Sequence, residues 1–257
     1  MLFALACSSG TEENDGGSGE ETGDDALIVP EGLSVTALAG GNGVLDMVAL
    51  TLRNGPSSTE LYAALRNDGD IPACHAALSV ELFDESEQSL ASGIGGLLTQ
   101  HFYRLTDGSG TIAACVAPGG VTMAAVTDLP SDLAVEDVRY IVYRCPYFAL
   151  DVVGIDGLDI SQVKRVTGGA GTAYTGILVN GLDVVVSNPS VTVFAVNRVG
   201  RPLGVATGSS TDEIPPGGSW AFETNTLSGT VPALRGGASS DAPAFGHAAY
   251  PAGAFAN

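Results

Sequence analysis

Along much of the chain apolar and polar residues alternate with a period of two. Leu78, Val80 and Leu82 interleave with Ser79, Glu81 and Phe83, and Val191, Val193 and Ala195 interleave with Thr192, Phe194 and Val196. Such alternation, enriched in β-branched residues, predicts strands with one face buried. A second strand is expected before each of these, over Leu61 to Asn67 and Tyr174 to Asn180. A turn follows each, Asp84 to Gln88 and Asn197 to Arg201. Val138 to Tyr143 reads as a closing strand, with His247 to Tyr250 as its faint counterpart. The chain holds 35 Gly and 13 Pro, so turns recur throughout and long helices have little room. An all-β protein is the expectation.

These parallels form an internal repeat. A shift of 113 positions lays Asn67 on Asn180, Asp70 on Asp183, Leu78 on Val191, Val80 on Val193 and Leu90 on Leu203 without a gap. Each copy then carries a Pro-Gly-Gly turn, Pro118 to Gly120 and Pro216 to Gly218, where the shift has fallen to 98. The first copy is therefore longer by 15 residues, and the excess is expected as an extended loop around Gly93 to Gly110. The repeat sets the expected units: a tether over 1–26, a first sandwich over 27–150, and a second over 151–257 with a loose C-terminal segment.

The start of the chain is of another kind. Met1 to Ala6 is a short apolar run ending in Leu5, Ala6 and Cys7, followed by Ser8, Ser9 and an acidic Gly/Ser-rich stretch to Asp25. This resembles a bacterial lipobox, although Ala4 stands where Leu is usual. The resemblance implies cleavage before Cys7, lipidation of Cys7 and anchoring to a membrane. Ser8, where an Asp would mark retention at the inner membrane, favours the outer one. The polar run then serves as a tether, because it buries too little surface to offset its ordering entropy. Only six residues precede Cys7, fewer than the roughly 7–15 of a secretory h-region, which points to an upstream start or a trimmed chain. No apolar run reaches the roughly 18 residues of a membrane-spanning helix.

The segments Asn67 to Asp70, Val80 to Asp84 and Pro118 to Gly120 resemble the FxLYD family, small extracytoplasmic β-sandwich domains of bacteria and archaea. The namesake motif is met at Leu82, Phe83 and Asp84, with Val80 for its initial Phe; in the second copy it becomes Val193, Phe194, Ala195, Val196 and Asn197. The resemblance implies two tandem immunoglobulin-like sandwiches in the cell envelope, with the motif residues structural: apolar ones in the core, and Asp84 in the turn that follows.

Charge and chemistry narrow the function. The formal charge is −19 and Lys164 is the only lysine, so no basic stripe exists to neutralise phosphates, and nucleic-acid binding is excluded as an expectation. In an oxidising compartment Cys74, Cys115 and Cys145 permit one disulfide. Cys74 opens a strand and Cys115 precedes the Pro-Gly-Gly turn at the same sandwich end, which favours that pair, with Cys145 as a competitor. Ser187 and Glu213 occupy the matching places in the second copy. His75, beside Cys74, His101 and His247 lack metal-ligand spacing, and the sequence carries no nucleophile elbow, phosphate loop or zinc-protease motif. No cofactor or metal is expected. Acidic turns at Asn67 to Asp70, Asp107 to Gly110 and Asp156 to Asp159 read as turn chemistry, with calcium binding as the alternative. Trp220 and Phe222 share a strand face and are expected in the second core.

The leading expectation is thus a non-enzymatic, lipid-anchored envelope module whose end loops contact another protein or a wall polymer, its oligomeric state left open. A calcium-dependent adhesion protein is the alternative. An enzyme would require a polar pocket of convergent ionisable groups.

Overall fold

The computed structural model describes residues 27, 30–38, 43–55, 57–155, 157–168, 171–197, 201–227 and 246–255. Alternating and β-branched segments form strands throughout, and the described residues contain no α-helix, only a 3-10 turn at Val135–Asp137. The protein is all-β.

The first half runs β1 (Ser34–Ala37), β2 (Leu45–Asn54), β3 (Thr59–Asn67), β4 (Ala73–Cys74), β5 (Ala77–Phe83), β6 (Ser89–Leu98), β7 (Phe102–Leu105), β8 (Ile112–Val116), β9 (Val121–Leu129) and β10 (Tyr140–Arg144). The second runs β11 (Val152–Ile155), β12 (Leu158–Gly168), β13 (Gly171–Asn180), β14 (Val186–Val196), β15 (Pro202–Ser209), β16 (Glu213–Ile214), β17 (Ser219–Glu223) and β18 (Gly246–Phe255).

Seven strands of the first half form one ribbon, β1-β10-β5-β6-β9-β3-β2, antiparallel except for the β1–β10 pair. The ribbon turns where β6 leaves β5 and pairs with β9 through Leu97 and Leu98. Its two limbs then enclose a core that includes Leu50, Leu61, Leu65, Leu78, Leu82 and Ile141, a β-sandwich arrangement. In the second half β12-β13-β17 faces β15-β14-β16, with β18 on the other side of β14, around Tyr174, Leu178, Val191, Val193 and Phe222.

The repeat is visible strand by strand. β12, β13, β14 and β15 begin or end at the positions that the shift of 113 assigns from β2, β3, β4 with β5, and β6. β17 starts 98 residues after β9, and β18 pairs with β14 as β10 pairs with β5, so the faint closing strand at His247 to Tyr250 is a strand. Phe222 is buried and Trp220 packs partly buried beside it, with ring centroids 5.9 Å apart, in the second core as expected.

The 15-residue excess is not a loop. The shift of 113 persists through the β5–β6 register, where Leu78 faces Gly95 as Val191 faces Gly208. The excess lies beyond it and folds into the end of β6, β7 and the β7–β8 turn. The glycines of this stretch serve close packing: a Cβ on Gly93 would stand 2.5 Å from Val126 Cγ1, and one on Gly95 2.4 Å from the Ala125 carbonyl oxygen.

Two side-chain clasps recur in both halves. The fully buried Asn67 donates through Nδ2 to the Ile71 and Val116 carbonyls, at 2.8 and 2.9 Å, and accepts from Gly69 N at 3.0 Å. Asn180 donates to the Val184 and Ile214 carbonyls, both at 2.9 Å, and accepts from Leu182 N at 3.0 Å. Their main chains grip the Pro-Gly-Gly turn alike: Gly119 N donates to the Asn67 carbonyl and Gly217 N to that of Asn180, each from a glycine with φ near +70°. The second clasp closes the turn after the motif strand. Asp84 Oδ1 accepts from Gln88 N at 2.9 Å, and Asn197 Oδ1 from Arg201 N at 3.0 Å. The Gln88 amide, followed by Ser86, holds the Asp84 carboxyl below the usual carboxylate range.

Replacing either buried asparagine strands two carbonyls and one amide, each costing about 1–3 kcal/mol if left unsatisfied. Asn67→Ala and Asn180→Ala should each lower stability by about 3 kcal/mol or more, read as a fall in urea midpoint. Asn67→Asp, whose carboxylate would face two carbonyls, should be at least as damaging at neutral pH.

Candidate functional site

The hairpin β7–β8, flanked by β11 and by β4, forms a four-stranded sheet between the halves. The disulfide Cys74–Cys115 ties β4 to β8, where the two cysteines are directly paired in the register. Buried Cys74, Cys115 and Ala113 carry Tyr103, Leu105, Leu150 and Val152 on one face of this sheet. On the other, Phe102 and Ile112 enter the core of the second half. The hairpin is thus a lever rooted in the first half and seated in the second. β11, the first strand past residue 150, pairs with β7 rather than with a strand of the second half.

Two clefts flank β11. The larger, about 630 Å³, is walled by Arg104, Gly154, Ile155 and the Gly181–Asp183 turn. The smaller, about 260 Å³, is lined by residues that include Gln100, His101, Tyr103 and Asp159. In the larger, Arg104 Nη2 reaches Asp183 Oδ1 at 2.5 Å, which lowers the Asp183 pKa, while Arg104 Nε is buried without a hydrogen-bond partner. Phe148 and Val153 stand exposed near this sheet, at 62% and 54%. A third groove, about 630 Å³, crosses the outer face of β5, β6 and β10 between Leu38, Glu81, Ile94, Asp128 and Arg144.

The residues singled out in the sequence are scattered. Cys7 and the tether lie outside the described residues. Cys145 stays a thiol, fully buried, its pKa pushed up to about 12 by that burial and secondarily by Asp46. His75, at φ 48°, packs its ring edge-on to Phe148, and His247 lies beside Tyr174. Asp107 is taken up by Ser109, whose amide and hydroxyl lower its pKa. Asp156 lies outside the described residues, and among those described no group of three or more His, Cys, Asp or Glu is placed to hold a metal ion.

Sequence reasoning missed the joint between the halves. Tyr62, Ala64 and Met123 of the first half share a buried cluster with Phe194, Val196 and Tyr250 of the second. Arg53 knots it: Nη2 bonds Glu60 Oε2 at 2.7 Å and Tyr62 Oη at 3.0 Å, and Nη1 bonds the Leu203 carbonyl at 2.9 Å. The signal was present as lost alternation: Leu61 to Leu65 is apolar at every position, and Val193 to Val196 likewise, which marks strands buried on both faces.

The sheets define an all-β protein of sandwich type. No family model matches the chain, and no curated protein matches it. Among solved structures, the crystal structure of red sea bream transglutaminase is similar to 70% of this chain at 13% identity with a TM-score of 0.20. The chain spans 26% of that protein's length, and a likeness at this level carries no argument about fold or chemistry.

Cutting the disulfide should loosen the lever. The Cys74→Ser, Cys115→Ser double variant should lose about 3–4 kcal/mol, from the closure entropy of the 41-residue loop, seen as a lower melting temperature that reductant no longer changes. Cys145, buried and far from its thiolate, should resist iodoacetamide in the native protein and react only after unfolding, as read by peptide mass.

Proposed function

We propose that the chain is a non-enzymatic binding or structural module of the cell envelope, lipid-anchored through Cys7 and favouring the outer membrane. In this reading an acidic tether, residues 1–26, carries two tandem immunoglobulin-like, FxLYD-like sandwiches over 27–150 and 151–257. The contact with an envelope protein or wall polymer falls on the clefts beside the disulfide-bound hairpin, where Arg104 and exposed Phe148 and Val153 offer one cation among apolar side chains.

The observation that carries this reading is the Cys74–Cys115 disulfide, since such bonds persist in oxidising compartments outside the cytosol. The strand-for-strand repeat supports the tandem arrangement, and the duplicated clasps support a structural role for the motif residues.

The test is fractionation and intact mass of the native protein. A membrane-bound species beginning at acylated Cys7 with one disulfide is expected, and Cys7→Ser should release it to the soluble fraction. Recovery of an unmodified chain from the cytosol with Cys74 and Cys115 reduced would refute the proposal.

A further inference from the structure

The joint between the halves brings together two different surfaces, and each half keeps one of them open. In the joint, the outer face of β2–β3–β9 in the first half lies against the outer face of β14, β15 and β18 in the second. Because the halves repeat, the second half carries the first of these surfaces again on β12–β13–β17. The first half carries the other again on β5, β6 and β10. Both are uncovered among the described residues: Val166 is 49% exposed on the former, and Ile94 is 65% exposed on the latter, with Leu38 and Tyr140 exposed beside it.

The substitutions between closed and open faces are complementary in charge. Tyr62 sits between Thr51 and Ala125 in the register across three strands, and the repeat replaces this row by Lys164, Thr175 and Glu223. On the other surface Phe194 becomes Glu81, and Arg144, paired with Ser79, takes the place of Tyr250, paired with Thr192. In the joint Thr51 contacts Arg201 and Pro202 at the start of β15, Tyr62 meets Phe194 edge-on at 6.2 Å, and Met123 clusters with Tyr250. Transferred to the open faces, that order sets Lys164 on the side of Glu81 and Glu223 on the side of Arg144. All four side chains are exposed.

We propose that the chain associates head to tail with a second copy of itself, β12–β13–β17 of one molecule resting on β5, β6 and β10 of the next. Such a contact is heterologous, so two molecules leave both outer faces free and the assembly extends as a row. It lacks the Arg53–Glu60–Tyr62 knot and the hairpin of the internal joint, and rests on charge pairing around a smaller apolar patch. It is therefore weaker than that joint and sensitive to salt.

The experiment is sedimentation velocity of the full chain carrying Cys7→Ser, so that acylation plays no part, from about 10 μM to about 1 mM, the range for weak contacts. The average mass should climb with concentration past that of a dimer and fall back in about 0.5 M salt. Glu81→Lys and Lys164→Glu should each weaken association about tenfold or more with melting unchanged, since like charges then meet. The double variant should regain it, as should an equimolar mixture of the two single variants, in which every contact is again matched when the molecules alternate. A monomer at all concentrations, a plateau at the dimer, or single variants that associate as the parent does would each overturn the proposal.

Discussion

A buried asparagine with no water near it must find protein partners for its amide, and this constraint organises both halves. Asn67 and Asn180 end the strands β3 and β13, and each side chain bridges the start of the following segment to the strand that precedes the Pro-Gly-Gly turn. The backbone of the same residue holds that turn from the other side. One residue thus fixes the mutual placement of three chain segments, which apolar packing, being non-directional, does not do. Only an amide side chain combines two donors and an acceptor at that spot, which explains why the two copies share asparagine while their core residues differ.

The joint sets the next level. The Arg53 guanidinium enters a largely buried environment, where it is matched by the Glu60 carboxylate, the Tyr62 hydroxyl and the Leu203 carbonyl. A charge so placed costs several kcal/mol unless its hydrogen bonds are met, so the knot tolerates one relative position of the halves far better than others. Packing of Tyr62, Phe194 and Tyr250 around it supplies the apolar area. Consequently the clefts beside β11, which have walls from both halves, have a defined shape.

What could be read in advance follows from which signals are local. Alternation at Leu78 to Leu82 and Val191 to Val196 located the motif strands, and the ungapped shift of 113 located their partners, because both depend on sequence alone. The role of Asp84 in its turn was equally legible, since an Asx side chain bonds the backbone a few residues on. The stretch around Gly93 was read as a loop because glycine marks turns more often than close strand packing, and only the neighbouring Val126 and Ala125 distinguish the two. The Arg104–Asp183 contact joins residues 79 apart in sequence, and no local pattern announces it.

The cystine belongs to one half alone, and loop length does not explain this. The corresponding pair, Ser187 and Glu213, encloses 26 residues rather than 41, and a doubling of loop length changes closure entropy by only about 0.6 kcal/mol. Mechanical position explains it better. β16 ends a short connection within the second half, where a 3.3 Å hydrogen bond between Ser187 and Glu213 suffices. β8 instead roots the hairpin whose tip lodges Phe102 and Ile112 in the other half's core, so any motion between the halves pulls directly on it. A covalent tie from β4 to β8 transfers that load to the strand layer that Asn67 already fixes through Val116, one residue beyond Cys115.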